Sequence, residues 1–331
     1  VTGARDDAAI DLDCLLGRSD SLRAEVFCRA TLPPGVEAAA ATLTGTLTGP
    51  ECRRAITLPV TARLAAVRPS GEAPADGTLV ARVILTEPAF WTPELPNLYR
   101  LDARLDLAGS ERATWQRRLG LRRLGVRGRS LWLDGRRYVP RGLAATAETI
   151  DVAAYRAAAL AAFVANPPEA LLDRCDTEGV AVIGLLADVS GRPLDLAEAT
   201  AAVIRWARHP AVLGAVVPRA ASADAAAVIT AASRGRRDTL LLGREVDGLA
   251  PPVEVGDGID VLVVSVPPAG LPCDAWRTAS PAVPLVARRG AETAAGSEAS
   301  RRGCDALQAA LAGWGVGQPG AGWDWAGYLV G

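Results

Sequence analysis

The chain contains no methionine, no lysine and a single histidine, and aromatic residues fill only 5% of its 331 positions. With His209 the sole imidazole, a Ser-His-Asp triad would have to use a residue beside Pro210 at an expected helix-to-strand boundary. A histidine there is better placed to cap the helix end than to relay a proton. The six cysteines show no C-x-x-C spacing, so metal binding is not expected and no cofactor is implied. They are also too sparse for a disulfide scaffold, which belongs to short secreted domains. Free buried thiols are the simpler expectation, with a Cys28 to Cys52 bridge between neighbouring strands as the alternative.

Long apolar runs are missing too. Arg156 interrupts the Ala-rich stretch from Val152 to Ala165, and nothing approaches the roughly 18 residues of a membrane span. A balance of 36 basic against 37 acidic residues leaves a net charge of −1, which gives no reason to expect nucleic acid or an anionic membrane as partner. Every basic residue is arginine. The one concentration, Arg117 to Arg141, is interleaved with Leu119, Leu121, Leu124, Val126, Leu131 and Leu133. That alternation favours a solvated sheet face over a phosphate-binding patch. The chain starts at Val1 without an apolar leader, so it reads as a mature or trimmed piece of something longer and its localisation stays open.

A hydrophobic content of 50% is ample for two buried cores. From Ile10 to about Leu119 the apolar residues alternate, as in Ala24, Val26 and Cys28, in Ile56, Leu58 and Val60, and in Ala81, Val83 and Leu85. Turn clusters such as Pro33-Pro34-Gly35 and Pro69-Ser70-Gly71 separate the runs, the pattern of an antiparallel sandwich of about seven strands. After Tyr138 helical and short apolar segments alternate instead, which argues for a β/α domain following the β domain. Strands are expected at Tyr138–Leu143, Val180–Leu186, Val212–Val217, Thr239–Leu242, Ile259–Val266 and Val283–Ala287. Helices are expected at Val152–Val164, Pro168–Thr177, Leu194–Arg208, Ala223–Ala232 and Ala299–Gly313, with Asp151, Asp195 and Ser222 as N-caps. The second and eighth barrel strands are the weak places. The fold expectation is an immunoglobulin-like β-sandwich over residues 1–126 followed by a reduced (β/α)8 TIM-type barrel over 127–331, multidomain β plus α/β.

Particular peptides sharpen that reading. Trp91-Thr92-Pro93-Glu94-Leu95-Pro96-Asn97-Leu98-Tyr99-Arg100-Leu101 resembles the W-S-P-x-x-P-x-L-Y-x-L segment of glycoside hydrolase family 2, with Trp91 and Tyr99 placed to cap the sandwich core. Gly120-Leu121-Arg122 and Leu131 to Gly142 are similar to that family's sandwich-to-barrel junction. Ala170 to Val180 looks like its helix-to-strand segment ending in L-x-D-x-x-G, and Trp206 to Val212 like its R-x-x-N-H-P-S-I run. The resemblance implies a retaining glycosidase built on two glutamates at the ends of barrel strands four and seven, about 5 Å apart.

Those glutamates are absent. Counting on from His209-Pro210 puts Arg219 and Ala220 where the family has its N-E dipeptide, and Arg288 stands at the nucleophile position in Ala287-Arg288-Arg289-Gly290. A guanidinium cannot be a nucleophile there. Phe163 to Pro168 and Leu143-Ala144-Ala145 also lack the family's polar substrate-binding residues. Of the other carboxylates near expected strand ends, Asp188, Glu245, Asp247 and Glu292, the pair Asp188 and Glu245 would be the substitutes if hydrolysis survives; solvated loop acids or salt bridges are the simpler reading. A glycan-binding alternative would use Arg141, Trp323 and Trp325 at the barrel mouth, with Trp314 and Tyr328 near by. Gly315 to Gly320 fits G-x-G-x-x-G but has no following helix, so it reads as a loop. The expected function is a non-catalytic relative of the family, with a glycan or protein partner.

Overall fold

Period-two alternation builds the first part of the chain. The structure, a computed structural model, describes residues 10–33, 36, 40–67, 77–233, 240–252, 254–279, 282–290, 296–315 and 324–331. Two four-stranded antiparallel sheets form the sandwich. One has the order β1 (Leu12–Ser19), β2 (Arg23–Thr31), β6 (Thr78–Thr86), β5 (Ala65–Ala66), and the other β4 (Val60–Arg63), β3 (Ala41–Glu51), β7 (Leu98–Leu107), β8 (Ser110–Leu119). Ala24, Val26, Cys28 and Ala30 of β2 and Ala81, Val83 and Leu85 of β6 are buried, and they meet Leu43, Leu47, Tyr99, Leu101 and Ala103 of the facing sheet in one core. Each such buried leucine or valine contributes about 1.5–3 kcal/mol by leaving water. Tyr99 keeps its hydroxyl satisfied by accepting from the Ala89 amide at 2.8 Å.

Alternation misled at one place. Ile56 and Leu58 lie outside any strand and are exposed at 102% and 89%; the strand starts only at Val60. All six cysteines are free thiols, and Cys28 faces Cys14 across β1 and β2, with 3.8 Å between sulfurs, rather than Cys52.

The chain divides into two compact units, Val1–Phe90 with Asn97–Leu121, and Trp91–Pro96 with Arg122–Gly331. In the second unit β9 (Leu124–Arg127), β10 (Ser130–Leu133) and β11 (Arg136–Arg137) form a small antiparallel sheet. Eight parallel strands then close into a barrel: β12 (Arg141–Ala145), β13 (Ala161–Ala165), β14 (Val182–Leu185), β15 (Val212–Val217), β16 (Leu241–Asp247), β17 (Val261–Val266), β18 (Leu285–Arg289) and β19 (Gly327–Val330). Phe163, Ile183, Leu185, Val216, Leu241, Val261, Val263, Val286 and Leu329 fill its interior, and Leu131 joins them from below, where the strands begin. The interior is packed core, as in barrels of this size.

The helices are α1 (Val152–Ala157), α2 (Glu169–Glu178), α3 (Leu196–Trp206), α4 (Ala223–Ser233), α5 (Ala275–Thr278) and α6 (Ser297–Gly315). Asp151 accepts from the Ala153 and Ala154 amides, Asp195 forms a capping box with Glu198, and Ser222 accepts from Ala225, so all three caps stand where the sequence puts them. The first helix is shorter than its Ala-rich sequence suggests. It stops at Ala157, and Ala161–Ala165 becomes the second barrel strand. In a fully buried parallel strand no polar face alternates, so a short apolar run cannot be told from helix by period alone.

Trp91 belongs with the barrel rather than capping the sandwich: it is fully buried and its Nε1 donates to the Asp176 carbonyl on α2 at 2.9 Å. Gly179 ends α2 in the left-handed region at φ 76°, and a Cβ there would lie 2.3 Å from the Pro93 carbonyl. Because that neighbour is backbone, it cannot step aside cheaply. Gly179→Ala is expected to destabilise the protein by about 2 kcal/mol, combining a left-handed residue with an overpacked contact; a denaturant midpoint equal to wild type would refute the packing described.

Candidate functional site

In a parallel barrel the working surface is the end where the strands finish, because the loops there converge on the axis. Alternation along β16 sends Leu241, Glu245 and Asp247 to the same side, as it does Val263 and Ser265 on β17 and Val286 and Arg288 on β18. The last inward layer therefore holds charge instead of leucine. Arg288 Nη1 meets Glu245 Oε1 at 2.6 Å, and the Ser265 hydroxyl donates to the same oxygen at 2.7 Å. Arg288 also donates from Nη2 to the Gly331 carbonyl at 3.4 Å and lies 5.0 Å over the Phe163 ring. Glu245 keeps 11% of its side chain exposed and Arg288 26%, so the pair plugs the mouth from within.

After strand four the first acid is Asp224, in the opening turn of α4. Arg219 follows β15, offers its amide to Glu245 Oε2 at 3.5 Å, and pairs through Nη1 with Asp247 Oδ2 at 2.8 Å. Ala220 beside it is an exposed methyl. Asp247 Oδ1 accepts the Leu249 amide at 2.9 Å. Asp188 folds into its own turn: it accepts from the Ser190 hydroxyl and amide at 2.6 and 2.9 Å and from the Arg192 amide and Nε at 3.0 and 3.1 Å. The Ser190 hydroxyl, with those further donors, holds the Asp188 carboxyl below its usual range. No bond joins Asp188 to Glu245, and each is committed to different partners.

The remaining candidates fall elsewhere. Arg141 opens β12 at the opposite end of the barrel, where it pairs with Asp305 at 2.6 Å, and Trp325 lies at that end too. Neither is at the mouth, which corrects the placement expected for the glycan-binding alternative. Trp323, Glu292 and most of the Gly315 to Gly320 loop lie outside the described residues.

His209 does not cap α3 with its ring. Its Nδ1 meets Asp176 Oδ2 on α2 at 2.7 Å, while Asp176 Oδ1 accepts the Ala211 amide at 2.8 Å. Arg122, buried rather than solvated, donates to the Pro210 carbonyl and, at 2.6 Å, to that of Val212. Burial pulls the guanidinium down to about 9, opposed by Asp176; with carbonyl acceptors around it, the group stays charged at neutral pH. Asp173, Asp176 and His209 are close enough to hold an ion, but both Asp176 oxygens and Nδ1 already have protein partners. The cluster is scaffold.

Burial works against a charged His209, but the Asp176 hydrogen bond and charge, with Glu169 and Asp173, raise it above its ordinary 6.5. Burial also raises Asp176, against His209 and Ala211. Both groups hold protons more tightly when folded, so the stability they contribute is lost as pH rises through the folded values. The melting temperature is expected to fall as pH rises above the ordinary histidine value of 6.5, and His209→Gln should flatten that slope. An unchanged slope in the variant would reject the assignment to His209.

Residues 36–122 match the model for glycosyl hydrolases family 2. That stretch takes in β3 to β8 of the sandwich. No curated protein matches the chain. Among solved structures it is similar to a β-glucuronidase of Parabacteroides merdae, with 15% identity, a TM-score of 0.62, and coverage of 98% of this chain and 46% of that one. A Bifidobacterium dentium β-glucuronidase gives 14%, 0.60, 97% and 60%, and a glycosyl hydrolase family 2 member from Bacteroides cellulosilyticus 14%, 0.61, 97% and 43%. At such identity the likeness is one of fold. The chain spans less than two thirds of each of them.

Sequence reasoning located Arg288 and Glu245 but not their partnership, and it missed Ser265, Phe163 and Asp176. Only Asp176 carried a signal, as the acid of the D-x-x-G segment. Removing one partner strands the other: Arg288→Leu should cost about 2 kcal/mol, below the usual figure for a buried pair because Arg288 is partly solvated. Glu245→Leu/Arg288→Leu should recover most of that loss in denaturant unfolding. If the double variant is no better than the sum of the singles, the two residues do not act as a pair.

Proposed function

We propose that this protein is a catalytically inactive member of the glycosyl hydrolases family 2 lineage, a structural or interaction module. The observation that carries the reading is the 2.6 Å ion pair between Arg288 and Glu245. A retaining mechanism needs one carboxylate free to attack the anomeric carbon and a second carboxyl group about 5 Å away to protonate the leaving oxygen. Here the strand-seven position presents a cation. The one inward carboxylate beside it has its Oε1 shared between Arg288 and Ser265. Asp188, the other substitute, spends its lone pairs within its own turn.

Against the lectin-like alternative, the two of its residues that are described, Arg141 and Trp325, line the far end of the barrel. Purified protein is expected to release no chromophore from p-nitrophenyl β-galactoside, β-glucuronide or β-mannoside above the rate of a Glu245→Gln/Asp188→Asn variant. Turnover that this double substitution abolishes would overturn the reading and make the pair catalytic.

A further inference from the structure

At the end of the barrel opposite the mouth, a cavity of about 410 Å³ opens beside β12 and β19 and the last turns of α5 and α6. Its size falls within the range of small-ligand sites. Three guanidinium groups, Arg137, Arg141 and Arg277, and three aromatic rings, Trp314, Trp325 and Tyr328, line it. Arg277 lies 5.1 Å over the Trp314 ring and Arg141 5.9 Å over Tyr328, so two of the cations stand against ring faces. Among the described residues, Arg277 Nε is buried with no acceptor. Such a donor costs free energy until an acceptor arrives.

Among the described lining residues, side-chain acceptors are fewer than donors. Its carboxylate, Asp324, takes a bond from Arg137 at 3.2 Å, and its amide, Gln308, accepts from Arg141 at 2.5 Å. Asp305 and Asp274 pair with Arg141 and Arg277 without lining the cavity. A neutral sugar would bring several hydroxyl donors and find few lone pairs to receive them. A carboxylate on a flat ring needs the reverse, namely donors for its oxygens and faces for its ring.

We propose that this cavity is a binding site for small aryl carboxylates, with the carboxylate held among Arg137, Arg141 and Arg277 and the ring against Trp314 and Trp325. The site is independent of the barrel mouth and of whether the mouth has any chemistry.

Calorimetric titration of the full chain with 2-naphthoate tests it, with 2-naphthalenemethanol as the neutral counterpart and glucuronate as a carboxylated sugar. The naphthoate should bind about tenfold or more tightly than either. Arg277→Gln and the more exposed Arg137→Gln should each weaken it, the first by about tenfold, while Arg29→Gln on the sandwich surface should leave it unchanged. Circular dichroism identifies the variants that fold. Absence of naphthoate binding to folded wild type, equal binding of the alcohol, tighter binding of glucuronate, or indifference to both cavity substitutions would each overturn the proposal.

Discussion

Asp176 is the residue on which the barrel unit hangs. Its backbone carbonyl accepts from the Trp91 indole and its carboxylate holds both the His209 ring and the Ala211 amide. Nearby, Arg122 gathers the carbonyls of Pro210 and Val212 as the chain enters β15. A buried carboxylate, imidazole and guanidinium are each costly alone, and the bonds they make here offset part of that cost. That interdependence ties four separate stretches of sequence into one arrangement. The peptides that resemble glycoside hydrolase family 2 most closely are those stretches: the Trp91 peptide, the Arg122 junction, the Asp176 segment and the His209-Pro210 run.

Fold and chemistry therefore sit on different residues. The scaffold set lies between helices and strand beginnings. Chemistry belongs to the mouth, where Glu245, Ser265 and Arg288 interlock with one another. Inward carboxylate and guanidinium neutralise each other across β16 and β18, and a polar layer can persist at the end of an apolar barrel because each member has a partner.

Much of the architecture was legible because alternation and cap chemistry are local. Ala24, Val26 and Cys28 announced a strand, and Asp151, Asp195 and Ser222 announced helix starts. What failed was information that local pattern does not carry. Ala161 to Ala165 is strand because its neighbours β12 and β14 make it so. Arg122 sits in an arginine-rich, alternating stretch, yet it is buried because carbonyls about 90 residues away surround it. The presence of Arg288 near the end of a barrel strand could be read from the sequence, whereas its pairing with Glu245 required the register between β16, β17 and β18.

The short visit of Trp91–Pro96 to the barrel unit, between two stretches counted with the sandwich, makes the order of synthesis matter. The indole leaves the ribosome 85 residues ahead of its acceptor. Until Asp176 follows, the nascent sandwich trails a large apolar ring with nowhere to go, and a chain cut after the last sandwich strand would carry that exposed ring permanently. The boundary between the units is thus a seam that the chain crosses three times, and a scissor placed by sequence order alone would leave one stitch hanging.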